Sequence, residues 1–98
     1  MEYKILLSDP ALTGFEDLLE FIREKNAGAA ERFGNALLNH VELLAAFPHM
    51  GAPMRGRPGI REILHTPIRI YYRIHEARKT VEVLQFRQVS RRPPRFPA

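Results

Sequence analysis

The chain has 98 residues, enough for one domain with a single hydrophobic core and too few for a second. It contains no cysteine, which excludes disulfide bonds and thiolate chemistry and favours a reducing compartment. No apolar run approaches the ~20 residues that span a bilayer, and the N-terminus has no signal-peptide pattern. We therefore expect residues 1–98 to form one cytoplasmic domain with no membrane partner.

Charge is divided near the middle of the chain. Residues 1–50 carry four Lys/Arg against eight Asp/Glu, whereas residues 51–98 carry eleven against three. Arginine supplies ten of those eleven cations, and its planar guanidinium pairs bidentately with phosphate or carboxylate groups. The second half is therefore predicted to meet an anionic partner, either nucleic acid or an acidic protein segment.

The first half predicts a strand followed by two helices. The apolar run at residues 3–7 ends at a Ser-Asp-Pro sequence, residues 8–10, which is typical of a helix N-terminus. Apolar side chains at helical spacing predict one helix to about residue 26 and, beyond Gly28, a second over about residues 29–47. The short connection predicts an antiparallel helical hairpin.

The second half predicts a loop, three strands and a tail. The loop at residues 48–59 is rich in proline and glycine, and β patterns follow at residues 61–65, 68–74 and 80–89. The basic tail at residues 91–98 contains three prolines, which lack the backbone donor of a central strand. It is predicted to be extended and partly mobile.

This order of elements predicts an α+β fold in which the helical hairpin packs on one face of a small antiparallel sheet, in the order β-α-α-β-β-β. We call the opposite face of the sheet the open face. Strict alternation in the middle strand places Arg69 and Arg73 there, and Arg61 and Arg87 are candidates from its neighbours. Arginines interleaved with tyrosine are typical of surfaces that bind anions and bases; a merely solvated polar face is the alternative.

Few side chains suit catalysis or cofactor binding. The four histidines lack metal-ligand spacing and no glycine-rich phosphate loop is present, so no metal and no cofactor is predicted. His40 lies on the apolar stripe of the second helix and is predicted to be packed. His65, at a strand end beside the basic face, is the histidine that we consider for proton transfer.

Four sequence motifs carry a family resemblance. They are the turn Met54-Arg55-Gly56, the segment Ile60-Arg61-Glu62-Ile63, the strand Ile68-Arg69-Ile70-Tyr71-Tyr72-Arg73-Ile74 and the segment Val81-Glu82-Val83-Leu84. Together with the helical hairpin they resemble the ParE/RelE family, the toxins of bacterial type II toxin–antitoxin, or plasmid-stabilisation, pairs. The resemblance implies a RelE/ParE-like fold and a cognate antitoxin whose segment wraps the toxin.

The resemblance leaves two activities open. ParE-like members poison DNA gyrase, whereas RelE-like members cut messenger RNA in the ribosome with basic residues on the open face and often a C-terminal tyrosine or histidine. Carried onto this chain, a ribonuclease would use Arg61, Arg69 and Arg91 for phosphate and His65 or a tyrosine for proton transfer. The full set predicted to bind nucleic acid or another target is Arg55, Arg57, Arg61, Arg69, Arg73, Arg87, Arg91 and Arg92.

Two departures from the ribonuclease pattern favour the ParE-like activity. Gln88 stands where many relatives have histidine, and the tail offers Phe96 where some ribonucleases have tyrosine. Neither side chain can act as an acid or a base. We therefore predict a gyrase-inhibiting toxin, with a ribosome-dependent endoribonuclease as the alternative and a non-toxic nucleic-acid-binding module as a further one.

Overall fold

A computed structural model describes residues 2–96, so that Pro97 and Ala98 of the predicted tail lie outside the described residues. The elements are β1 (Lys4–Leu7), α1 (Asp9–Arg23), α2 (Ala27–Ala46), β2 (Ala52–Met54), β3 (Arg57–His65), β4 (Ile68–His75) and β5 (Thr80–Gln88). Short 3-10 turns at Pro48–Met50 and Glu76–Arg78 complete the path.

The five strands form one sheet in the order β1-β5-β4-β3-β2, and the helical hairpin packs on one of its faces. The predicted α+β class and the hairpin are confirmed. The sheet is mixed rather than wholly antiparallel, because β1 runs parallel to β5. Apolar periodicity fixes which residues share a face and carries no information on strand direction, so the sequence could not predict this pair.

Strand β2 is a second difference, since it lies in the stretch predicted to be a loop. It pairs with the start of β3 through a turn in which Gly56 has φ +82°. Pro53 marked this stretch as irregular in the sequence. Pro53 is tolerated because β2 is an edge strand, where a missing backbone donor can face away from the sheet.

The core lies between the helices and the facing sheet surface, as the alternation in β4 predicts. Ile70 and Tyr72 of β4 are fully buried, together with Leu37 and Leu44 of α2. Burying side chains of this size stabilises the fold by about 1.5–3 kcal/mol each. Within the part of the chain that the structure describes, no helix is long and apolar enough to cross a membrane.

A β-bulge in β5 shifts its register against β4. Tyr71 pairs with Gln85 but Tyr72 pairs with Val83, which leaves Leu84 as an extra residue. Such a bulge leaves a backbone carbonyl without its strand partner. The Ser8 hydroxyl donates to the Leu84 carbonyl at 3.0 Å and so satisfies it.

Ser8 also begins α1, because its side-chain oxygen accepts a hydrogen bond from the Ala11 N–H at 3.2 Å. We expect Ser8→Ala to lower the free energy of unfolding by about 1–2 kcal/mol, since the helix cap and the contact with the bulge are lost together. Urea denaturation followed by circular dichroism measures the change. Thr13→Ala, at an exposed position of the same helix, is the control and should change stability by less than about 0.5 kcal/mol.

Candidate functional site

The open face brings together three of the predicted arginines. Arg69 of β4 lies directly opposite Arg87 of β5, and Arg73 lies opposite Glu82. Paired residues of antiparallel strands share a face, so these side chains all project away from the helices. Tyr71 projects from the same face between Arg69 and Arg73. The sequence-based placement of Arg69, Arg73 and Arg87 is therefore confirmed.

Two glutamates partly neutralise this surface. Arg69 Nε lies 3.3 Å from Glu62 Oε1, and Arg73 Nε lies 2.9 Å from Glu82 Oε1. His75 Nε2 contacts the same Glu82 oxygen at 2.9 Å. The open face is thus an alternating set of charges with an arginine excess rather than a uniform cationic field.

The pKa of Glu82 is lowered from its ordinary value, first by the hydrogen bond from His75 and then by Arg73, against the opposing effect of burial. A carboxylate with a lowered folded-state pKa stabilises the fold above its unfolded pKa, and that stability is lost as the pH falls through the folded value. We expect the unfolding midpoint in urea to drop on acidification below about pH 4.5, the ordinary value. Glu82→Gln should flatten part of that drop, whereas the exposed Glu16→Gln should not.

Arg61 does not lie on the open face, so that part of the prediction is wrong. It pairs with Tyr72, whose ring points into the core, and its guanidinium donates to the Gly51 carbonyl at 2.6 Å and to the His49 carbonyl at 3.4 Å. The strand starts at Arg57 rather than at residue 61, and its pairing with β4 places Arg61 on the helix-facing side, like Tyr72. Its guanidinium braces the turn after α2.

His65 also faces the helices, which corrects its predicted place beside the basic face. Its Nδ1 lies 2.8 Å from Nδ1 of His40 on α2, and its ring packs edge-on against Phe33. One imidazole must donate and the other accept, so this contact needs at least one neutral ring. Burial, and secondarily the neighbouring His40, lower the pKa of His65. The prediction that His40 is packed is consistent with this contact.

The remaining arginines surround the open face from the turn and the tail. Arg55 is exposed in the β2–β3 turn, and Arg57 begins β3. Arg91 lines a groove between α1 and the ends of β4 and β5, and the Arg92 carbonyl accepts a hydrogen bond from Arg87 Nε at 2.9 Å. The eight arginines predicted as one binding set therefore divide between the open face, its rim and, for Arg61, the interior side.

The C-terminal segment, which we define as residues 91–96, is the feature that the sequence analysis missed. It crosses the open face instead of extending away from the fold. The Phe96 ring stacks at 5.8 Å from Tyr71, and Arg57 Nη1 donates to the Phe96 carbonyl at 2.5 Å. Pro94 is buried, and Tyr71 is only 2 % exposed although it projects away from the core. A phenylalanine in so polar a tail was the available signal.

The described residues 2–96 contain no group of three or more His, Cys, Asp or Glu side chains that could hold a metal ion. The open face offers guanidinium groups, two paired carboxylates, the His75 imidazole and an aromatic ring. This set can bind a phosphate, a carboxylate or a polypeptide carbonyl.

The sequence matches the model of the family described as the ParE toxin of the type II toxin–antitoxin system, parDE, over residues 5–93. A search of curated protein sequences finds no match.

Solved toxin structures share the fold at low sequence identity. The RelBE2 toxin–antitoxin complex from Mycobacterium tuberculosis matches with a TM-score of 0.71 and 20% identity, covering 90% of this chain and 99% of that chain. The chromosomal ParDE system from P. aeruginosa matches with a TM-score of 0.75 and 16% identity, covering 89% and 96%. The isolated E. coli RelE toxin matches with a TM-score of 0.57 and 18% identity, covering 88% and 83%.

Proposed function

Because this chain belongs to the ParE family of toxins from type II toxin–antitoxin systems, we propose that it inhibits DNA gyrase by binding it in the cytoplasm and that a cognate antitoxin neutralises it. Gyrase is the target that the resemblance implies for ParE-like members. The basic open face, built around Arg69 and Arg87, is the surface that we assign to the target.

The observation that carries the choice of gyrase is the placement of the acid–base groups. Cleavage of RNA without a metal needs a side chain that moves protons near the bound phosphate. His65 faces α2, and His75, at the far end of β4 from Arg69, is bound to Glu82. Glu82 on the open face has a lowered pKa, which makes it a weaker base. Gln88 pairs with Ile68 and Phe96 stacks on Tyr71, and neither of the two can exchange a proton. Binding without cleavage fits this chemistry better.

The ribonuclease alternative keeps one specific observation in its favour. Arg69 and Arg87 lie opposite each other on the open face, and guanidinium groups are well suited to bind a phosphodiester. If the protein cleaves messenger RNA, Arg69→Ala combined with Arg91→Ala should reduce cleavage by orders of magnitude. A gyrase inhibitor should lose less with the same two substitutions, because Arg91 lies in the groove beside α1 and not on the open face that we assign to gyrase.

Induced expression in a bacterium without the antitoxin tests the proposal. Protein synthesis and DNA integrity are followed over the first minutes after induction. Filamentation with DNA damage supports gyrase inhibition, whereas a prompt stop in translation with messenger cleavage replaces it with the ribonuclease activity. Unhindered growth by the folded chain, with salt-sensitive binding to nucleic acid, would favour the binding module instead.

A further inference from the structure

We propose that the groove between α1 and the ends of β4 and β5, which we call the α1 groove, binds a nucleoside monophosphate whose base carries an amino group. This site lies beside the open face and does not depend on the proposed gyrase target. It rests on the size of the groove, on the side chains that line it and on one glycine of α1.

The α1 groove has the size and the walls of a small-molecule site. Its volume is about 450 Å³, within the range of about 300–1,000 Å³ that is usual for such sites. Phe21 and Leu18 line it from α1, and Ile68 and Phe86 line it from the sheet. The Phe86 ring is held by a contact with the Phe15 ring at 5.7 Å, whereas Phe21 is 54 % exposed. An exposed ring that lines a groove offers a surface on which a planar base can stack.

Gly14 keeps the groove open on the side of α1. Glycine inside a helix is less stable than alanine, so its presence calls for a reason. Outside its own helix, a Cβ atom at Gly14 would meet only the Phe86 carbonyl oxygen, at an ordinary contact distance of 3.9 Å. Packing therefore does not require glycine here. Because Gly14 lines the groove, a side chain at this position would occupy part of the volume that a ligand needs.

The polar side chains of the groove suit the two ends of a nucleotide. Arg91 lies in the turn after β5, where its N–H donates to the Gln88 carbonyl at 3.0 Å. The Arg91 guanidinium and the Asp17 carboxylate line the same groove, yet neither forms an ion pair with any residue of the described range 2–96. A guanidinium pairs with phosphate, and a carboxylate accepts hydrogen bonds from the amino group of a base. A nucleotide can therefore satisfy both side chains at once.

Charge and aromatic surface together select the class of ligand. Arg87 also lines the groove, and Lys25 Nζ lies 5.1 Å from the centroid of the Phe21 ring, so that three cations surround one carboxylate. This excess favours a phosphate monoester, which carries more than one negative charge at neutral pH, over a single carboxylate. Uracil has no amino group to offer to Asp17. The groove therefore suits AMP, CMP or GMP better than UMP.

Isothermal titration calorimetry with the full-length protein tests the proposal, and the probes are AMP, CMP, GMP and UMP. We expect the three nucleotides with an amino group to bind several-fold more tightly than UMP. Arg91→Gln should weaken their binding about tenfold, as expected for the loss of one charge-assisted hydrogen bond. Arg78→Gln is the matched control, because it removes the same charge from an exposed site in the β4–β5 turn. It should bind like the unaltered chain.

Gly14→Ala distinguishes a ligand site from a merely structural glycine. Alanine favours the helix, so the urea midpoint should rise, while the added methyl group should weaken AMP binding several-fold. Thr13→Ala, at an exposed neighbouring position that does not line the groove, should leave AMP binding unchanged. Asp17→Asn should reduce the preference for AMP over UMP, because an amide can also donate to a uracil carbonyl.

Four results would overturn the inference: no binding of any of the four nucleotides at millimolar concentration, equal binding of AMP and UMP, unchanged binding by Arg91→Gln, or unchanged binding by Gly14→Ala. Displacement of AMP by an equal concentration of inorganic phosphate would also overturn it, since the groove would then hold an anion only. Tighter, Arg91-dependent binding of a single-stranded oligonucleotide would assign the groove to a nucleic-acid strand instead. Calorimetry needs neither gyrase nor toxicity, so failure of the proposed function leaves these results interpretable.

Discussion

Gly51→Ala is expected to lower the free energy of unfolding by about 3 kcal/mol, one of the two largest effects that we anticipate. A Cβ atom at this position would lie 2.6 Å from the Tyr72 hydroxyl and 2.8 Å from the Glu62 carbonyl. Both are closer than real Cβ contacts, and the backbone carbonyl cannot move aside. Overpacking of this kind costs about 1–3 kcal/mol, and here a hydrogen-bond network is broken as well.

That network joins the end of α2 to the sheet. The Gly51 N–H donates to the Tyr72 hydroxyl at 2.9 Å, and the same hydroxyl donates to the Pro48 carbonyl at 2.7 Å. Arg61 closes it from the other side by donating to the Gly51 carbonyl. Because Tyr72 is fully buried, these groups have no water to replace a lost partner.

Urea denaturation gives the stability change, and Gly59→Ala is the matched control. A Cβ at Gly59 meets nothing within 4 Å, so that substitution should be neutral or stabilise by up to about 1 kcal/mol. If Gly51→Ala were as stable as Gly59→Ala, the turn after α2 would not be fixed in the manner described. Arg61 would then return to the set of arginines that a target can contact.

Neutralising Arg69 and Arg87 together is expected to weaken inhibition of the target about 100-fold. The two side chains lie opposite each other on β4 and β5, and Arg69 is 36 % exposed even while paired with Glu62. A charge-assisted hydrogen bond contributes about 1.5–3 kcal/mol, so the loss of two corresponds to roughly two or more factors of ten. Arg69→Gln with Arg87→Gln removes both charges, keeps an unbranched polar side chain at each position and leaves the core untouched.

The measurement is the concentration of purified toxin that halves gyrase supercoiling activity, with the urea midpoint recorded for each variant. Arg23→Gln is the control, because Arg23 lies at the end of α1 in an exposed pair with Glu20. It should inhibit like the unaltered protein. Full inhibition by the Arg69/Arg87 double variant would place the target on the helical hairpin rather than on the open face.

The sequence predicted the fold well wherever periodicity carries the information. Alternation in β4 separated buried Ile70 from outward Arg69, and the Ser-Asp-Pro sequence marked the start of α1. The sequence did not predict the direction of β1 or the existence of the edge strand β2. These strands are only three to four residues long, and their places depend on tertiary contacts.

Alternation within strands also explains which part of the candidate site was predicted. Arg69, Arg73 and Arg87 follow from alternation within long strands. Arg61 and His65 were misplaced because the apolar residues of β3, Ile60, Ile63 and Leu64, do not alternate, so the pairing with β4 decides the face of each side chain. The C-terminal segment was not placed on the open face, since its position depends on a ring contact and hydrogen bonds rather than on a repeating pattern.

Supercoiling of relaxed DNA by purified gyrase, titrated with the purified toxin, tests the central claim most directly. The account predicts that inhibition grows with toxin concentration and is reversed by the cognate antitoxin. Unimpaired supercoiling, accompanied by cleavage of messenger RNA when the same protein is added to translating ribosomes, would contradict it and establish the ribonuclease activity.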